Sequence, residues 1–136
     1  MIVADTSGLL ALFNLREPRH ADARRVVESQ AEPLVVSPFV VAELDYLVAT
    51  RMGVDAELEL LNELAGGAYH LATVDMDDLR ESAQVVDRYR DQEIGVTDAS
   101  IVVLASRHRT RSVLTLDHRH FGVLRPIDGG RFRILP

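Results

Sequence analysis

Short runs of β-branched and aliphatic residues alternate along the chain with longer stretches whose apolar residues recur every three or four positions. The first pattern marks strands and the second helices. Strands are predicted at 2–5, 34–37, 69–74, 112–116 and 131–135, and helices at 7–13, 19–30, 38–51, 55–65, 76–90 and 97–108. The segments IVA, LVV and VLTL lack a polar face, as strands covered on both sides do. Ser37-Pro38 reads as an N-cap and first helical residue, Asp55 as a helix start and Gly66-Gly67 as a stop. Alternation of this kind implies a three-layer α/β/α fold around a mostly parallel central sheet. No repeat, biased tract or linker interrupts it, so residues 1–136 are read as a single domain.

Composition narrows the chemistry. The chain has no Cys, which excludes disulfides, thiol nucleophiles and thiolate metal sites. It has no basic start leading into an apolar run, and nothing near the roughly 18 consecutive apolar residues of a membrane span. A soluble, cytoplasmic chain with no membrane partner is the expectation. The net charge of −6 is unevenly placed: residues 1–104 hold 19 Asp and Glu against 8 Arg, and residues 105–136 hold 7 Arg against 2 Asp. Such a split suits a protein that holds cations and also touches phosphates, although a solvated basic face gives the same count. Every one of the 15 basic residues is Arg, a bias that genomic composition and a preference for bidentate phosphate contacts would each produce.

Ligands of doubly wound sheets gather at the carboxyl ends of the strands, where Asp5 and Asp117 end two predicted strands. Two further acids interrupt apolar helical faces. Asp98 precedes Ile101, Val102 and Ala105 at spacings of three, four and seven, and so shares their inward stripe. Glu43 lies three after Val40 and four before Leu47, on or beside a buried face. Each acid has an ordinary reading: Asp5 as a helix cap, Asp98 as a first-turn acid, Asp117 as a turn residue, Glu43 as half of an ion pair with an Arg. A carboxylate aimed at a core needs a partner, however. One cation-binding cluster accounts for all four, and oxygen ligands favour Mg²⁺ or Mn²⁺ over zinc.

The segments VADTSGLLAL, VVAELDYL, IGVTDASIVVLA and VLTLDHRHF resemble, in order and spacing, the four motifs of PIN-domain ribonucleases, specifically the VapC-type toxins of bacterial toxin-antitoxin pairs. The resemblance spans nearly the whole chain. It implies a Mg²⁺-dependent endoribonuclease that cuts tRNA or ribosomal RNA to inhibit translation, forms a homodimer and is restrained by a VapB-type antitoxin. It places Asp5, Glu43, Asp98 and Asp117 at the acidic positions, with Asp5 and Asp98 as direct metal ligands and Thr6 or Ser7 bonding the first acid. Glu43 or Asp117 would orient or deprotonate the attacking water. Asp91 and Glu93, in YRDQEIG, are read as surface caps or ion-pair members.

The RNA contacts are expected from Arg107, Arg109, Arg111, Arg119 and His118, which flank Asp117 in sequence. His118 and His120, two apart, have the spacing of a zinc pair, but no third nitrogen or thiolate ligand is near in sequence, so RNA contact or plain surface is preferred. An antitoxin helix is expected in a groove around Leu9, Phe13, Val40 and Leu47, with a basic tail residue in the carboxylate cluster. The Leu-rich helix 55–65 is the expected dimer element, against simple core packing. Two rival readings remain. A haloacid-dehalogenase-like phosphatase would use Asp5 as nucleophile, but needs a second Asp where Ser7 stands and a Lys the chain lacks. A non-catalytic PIN-fold RNA-binding module would not need the intact acids.

Overall fold

The computed structural model describes residues 1–136. Five strands, β1 (Val3–Ala4), β2 (Leu34–Val36), β3 (Tyr69–Leu71), β4 (Ser112–Leu114) and β5 (Arg133–Leu135), form one sheet in the order β3-β2-β1-β4-β5, with every pair parallel. Around it lie α1 (Thr6–Phe13), α2 (His20–Glu28), α3 (Pro38–Met52), α4 (Val54–Ala65), α5 (Met76–Arg88), α6 (Val96–Arg107) and α7 (His118–Val123). Right-handed crossovers in this strand order put α1–α4 on one face and α5–α7 on the other. No helix is long and apolar enough to cross a membrane.

The central strands explain their own composition. Val3, Ala4, Val35, Val36, Val113 and Leu114 are all buried, because helices cover both faces of β1, β2 and β4. All five strands are shorter than the apolar pattern predicts, the edge strands at 69–71 and 133–135 rather than 69–74 and 131–135 and central β1 at two residues rather than 2–5. Ser37 caps α3 by accepting from the Phe39 N–H. Its hydroxyl lies 2.8 Å from that of Ser100, which donates to the Thr97 carbonyl; the Ser37 proton therefore goes to Ser100 and ties the start of α3 to α6. α4 starts one residue earlier than expected, with Gly53 at φ 91° as its cap and Asp55 in the first turn.

The sheet order reverses at β1, whose neighbours β2 and β4 lead to opposite edges. That is a topological switch point, where the loops leaving two adjacent strands part and leave a crevice. Gly8 shapes its floor. A Cβ there would collide with the Leu114 carbonyl, so only glycine lets the first turn of α1 lie against β4.

Candidate active site

Asp5 follows β1 and is buried, 5% exposed. Its Oδ2 accepts from the Ser7 hydroxyl at 2.8 Å and from the Thr115 hydroxyl at 2.7 Å. Each hydroxyl in turn accepts a backbone N–H, Ser7 from Leu116 and Thr115 from Asp117. With both protons committed to Asp5, the 3.0 Å approach between the two hydroxyls is a contact of oxygens held by a common acceptor. Asp5 makes no side-chain cap on α1, which removes its ordinary reading. Of the two hydroxyls considered in the sequence, Ser7 bonds the carboxylate, whereas the Thr6 hydroxyl is buried without a partner.

Burial pushes the Asp5 carboxyl above its ordinary value; the Thr115 and Ser7 bonds oppose that rise and the charge of Asp117 adds to it. Asp98, in the first turn of α6, is pushed up to about 6, first by burial and then by Asp5, with His120 working against the rise and Asp117 and Glu43 adding to it. The four acids thus belong to one electrostatic neighbourhood, with no Arg or Lys paired to any of them.

Glu43 stands beside the buried face rather than on it. α3 buries Val40, Leu44 and Val48, a stripe at spacings of four, and Glu43 lies one position from Leu44, about 100° round the helix, where it is exposed. It reaches Asp98 by charge from the solvent side.

Asp117 is engaged on both oxygens. It caps α7 by accepting the His120 N–H on Oδ1 at 2.9 Å, and its Oδ2 lies 2.8 Å from the His120 ring Nδ1. The same nitrogen is 3.8 Å from Asp98 Oδ2. Since Asp117 can only accept when ionised, Nδ1 carries the proton. His120 thus bridges two of the acids. The sequence placed His120 at an RNA contact or plain surface rather than between the acids, and passed over Thr115, which was signalled by a polar residue inside VLTLD, two before the acid. The zinc reading of His118 and His120 falls because on helix α7 residues two apart point about 200° apart.

The basic candidates divide. Arg119 and His118 are exposed on α7, beside the acids. Arg107 is nine residues, about 14 Å, along α6 from Asp98, and is paired to Asp78 at 2.6 Å. Arg109 and Arg111 precede β4 and so lie at the amino end of the sheet. The sequence position beside Asp117 leads one to expect at least some of the four arginines near the metal; Arg119 is, whereas β4 runs from one end of the sheet to the other between the other three and Asp117.

A divalent cation fits this donor set. The ligand atoms are hard carboxylate oxygens, Asp98 has neither oxygen hydrogen-bonded, and burial first, then neighbouring acids, raise Asp5 and Asp98. No three acidic or histidine side chains converge closely enough to enclose an ion. That suits Mg²⁺, which keeps several waters and takes one or two carboxylates.

An apolar cleft of about 640 Å³ opens elsewhere, between α1, α2, α3 and α4, lined among others by Leu12, Phe13, Leu15, Met52 and Leu60. Phe13 belongs to it as expected; Leu9 and Val40, both fully buried in the core, do not, and Leu47 is not among its lining residues.

The PIN domain family matches residues 2–124. The chain is 58% identical over 135 residues to ribonuclease VapC26 of Mycobacterium tuberculosis (strain ATCC 25618 / H37Rv), covering 99% of this chain and all of that one. In solved structures, VapC20 of the same species, a sarcin-ricin loop cleaving toxin, superposes with a TM-score of 0.81 at 20% identity, over 93% of this chain and 98% of that one. FitAcB from Neisseria gonorrhoeae gives 0.71 at 21% identity, over 98% and 97%. At such identities these two speak for the fold.

Proposed function

The chain belongs to the PIN domain family, and from that premise we propose that it is a metal-dependent endoribonuclease, the toxin of a toxin-antitoxin pair, acting on tRNA or ribosomal RNA in the cytoplasm. The observation that carries this reading is the Asp5–Asp98 pair at the switch point: a buried and a half-buried carboxyl, both raised, neither paired to an Arg.

Asp5 and Asp98 are the residues that would hold Mg²⁺ or Mn²⁺. Such an ion, when bound, polarises the scissile phosphate and lowers the pKa of a coordinated water. The chain's own groups do the rest. Ser7 and Thr115 fix one oxygen of Asp5, so its carboxylate presents a single orientation. Asp117, with both oxygens occupied, positions α7 and His120. Glu43, exposed and near Asp98, is free to take a proton from the attacking water. His118 and Arg119, on the solvent side of α7, meet the phosphates flanking the cut.

The antitoxin's apolar segment lies in the α1–α4 cleft, whose rim carries Glu59 and Glu63 and therefore favours a basic flank on the partner. A homodimer is the assembly state we assign. In α4, Leu60 serves the core while Val54 and Leu58 are left exposed, which gives the helix an apolar outer edge. Sedimentation at micromolar concentration should show a species of twice the 15.1 kDa chain mass; a sole monomer would remove the dimer.

The test of the activity is incubation of the purified chain with total cellular RNA in Mg²⁺, in Mn²⁺ and in EDTA, followed by mapping of new 5′ ends. Discrete cleavage that EDTA abolishes is expected. Absence of cleavage, or cleavage indifferent to EDTA, refutes the reading.

A further inference from the structure

The arginines that fail to reach the carboxylates have a place of their own. Pairing of β4 with β5 sets Ser112 opposite Arg133, and the Arg133 N–H donates to the Arg111 carbonyl at 2.8 Å. Arg109, Arg111, Arg131 and Arg133 therefore collect at the amino end of these two strands, and all four are exposed. One acid stands among them: Asp128, itself 74% exposed, pairs with Arg111 at 3.2 Å. Arg109, Arg131 and Arg133 have no ion pair. By contrast Arg19, Arg24, Arg25, Arg80 and Arg90 each hold an acid three or four residues away on their own segment.

Two backbone features build this patch. Arg109 is held at φ 53°, a left-handed conformation unusual for a residue with a side chain. Gly130, at φ 85°, gives up its side-chain space to the Arg111 guanidinium, whose Nη1 would stand 2.7 Å from a Cβ there. Charge on the edge strand β5 also discourages stray pairing, but one arginine suffices for that. Four like charges around a turn repel one another within the roughly 8 Å screening length of physiological salt.

We propose that this patch is a second RNA-backbone site, which anchors the substrate at a distance from the cut. The proposal rests on the ribonuclease reading and deepens it. Arg111 is four residues down β4 from Thr115, the residue bonded to Asp5, so the two sites stand about 13 Å apart along a buried strand, and an RNA joining them passes round the β5 edge. At about 3.4 Å per phosphate along one strand of a duplex, even the straight line is about four phosphates, and the surface path is longer. RNA whose path extends beyond the scissile bond by that length meets both sites, and the patch supplies affinity that the acidic crevice cannot.

The test is RNA binding against salt. A fluorescent 30-nucleotide RNA hairpin is titrated with the full chain in EDTA at several NaCl concentrations. Wild type is compared with R131A/R133A and with R131K/R133K, and thermal unfolding checks that each is folded. Loss of two phosphate contacts should flatten the slope of log affinity against log salt by about 1.4 to 1.8, and the lysine variant should restore it. Equal slopes in wild type and R131A/R133A overturn the proposal, as they would if the patch served an acidic protein. Wild type that fails to cut RNA in Mg²⁺ instead refutes the ribonuclease reading, a separate outcome.

Discussion

Asp98 carries a conflict that a bound cation would resolve. In the metal-free chain its carboxyl titrates at about 6 rather than 3.8, and its side chain is 19% exposed. The folded state then holds that proton more tightly than the unfolded chain. Its stabilising contribution is complete below pH 4, falls as pH rises from about 4 to about 6, and is absent above; the total is about 3 kcal/mol. We predict that Asp98→Asn, in EDTA at pH 7, unfolds at higher denaturant than wild type, and that its stability is flatter across this window. Mg²⁺ should stabilise wild type at pH 7 and leave the Asn variant nearly unmoved. Denaturant unfolding at pH 4.5 and 7, with and without Mg²⁺, reads both effects. A less stable Asn variant in EDTA would mean that the attraction of His120, 3.8 Å away, outweighs the cost of burying the charge. At Gly8 the conflict is steric: Gly8→Ala forces α1 off the Leu114 carbonyl and carries Ser7 with it. A loss of about 1–3 kcal/mol together with RNA cleavage is expected; wild-type stability in the alanine variant would contradict this packing.

At the scale of elements, what the sequence reveals depends on whether an element buries a periodic face. The five strands and six of the helices show themselves because β1, β2 and β4 are covered on both sides and helices such as α3 repeat apolar residues along one stripe. α7 is six residues, HRHFGV, with Phe121 its one buried side chain, so it offers no period to read. It exists because Asp117 caps it, and the cap is what hid Asp117's partner His120. Asp5 and Asp98 were legible from strand end and stripe. Glu43 was legible as on or beside its helix's buried face, and lies beside it; of the four arginines flanking Asp117 in sequence, Arg119 stays by it and Arg107, Arg109 and Arg111 do not, because closeness in sequence crosses the length of a strand. The cap also separates two roles of Asp117. Asn caps helices about as well as Asp, whereas Ala gives up about 1 kcal/mol. Asp117→Asn should therefore keep wild-type stability and Asp117→Ala should lose about that amount. Cleavage impaired in both variants assigns the charge a part in the chemistry; impairment in Ala alone leaves Asp117 the anchor of α7 and His120.

For the whole molecule, the apolar cleft and the carboxylate crevice meet along α1. Asp5 precedes that helix, and Leu10, Leu12 and Phe13 of the same helix line the cleft, the last of them eight residues, about 12 Å, from Asp5. A partner seated in the cleft by apolar residues has a short path to the acids, so one antitoxin can both dock and reach the crevice with a basic side chain. The two contacts should separate by mutation. Met52, 47% exposed at the cleft rim beside Glu59 and Glu63, contributes docking surface alone. Met52→Glu puts a carboxylate where an apolar chain would lie, and should weaken the complex at least tenfold in EDTA and in Mg²⁺ alike. In the wild-type chain, added Mg²⁺ should compete with the basic residue for Asp5 and Asp98 and loosen the complex; in Asp98→Asn that dependence should vanish. Because the sites are distant, the two effects should add in the double variant. Calorimetric titration of antitoxin into each of the four chains, at low and high Mg²⁺, measures all of these terms. A complex whose affinity ignores Mg²⁺ in the wild type would confine the antitoxin to the cleft and leave the crevice open to solvent.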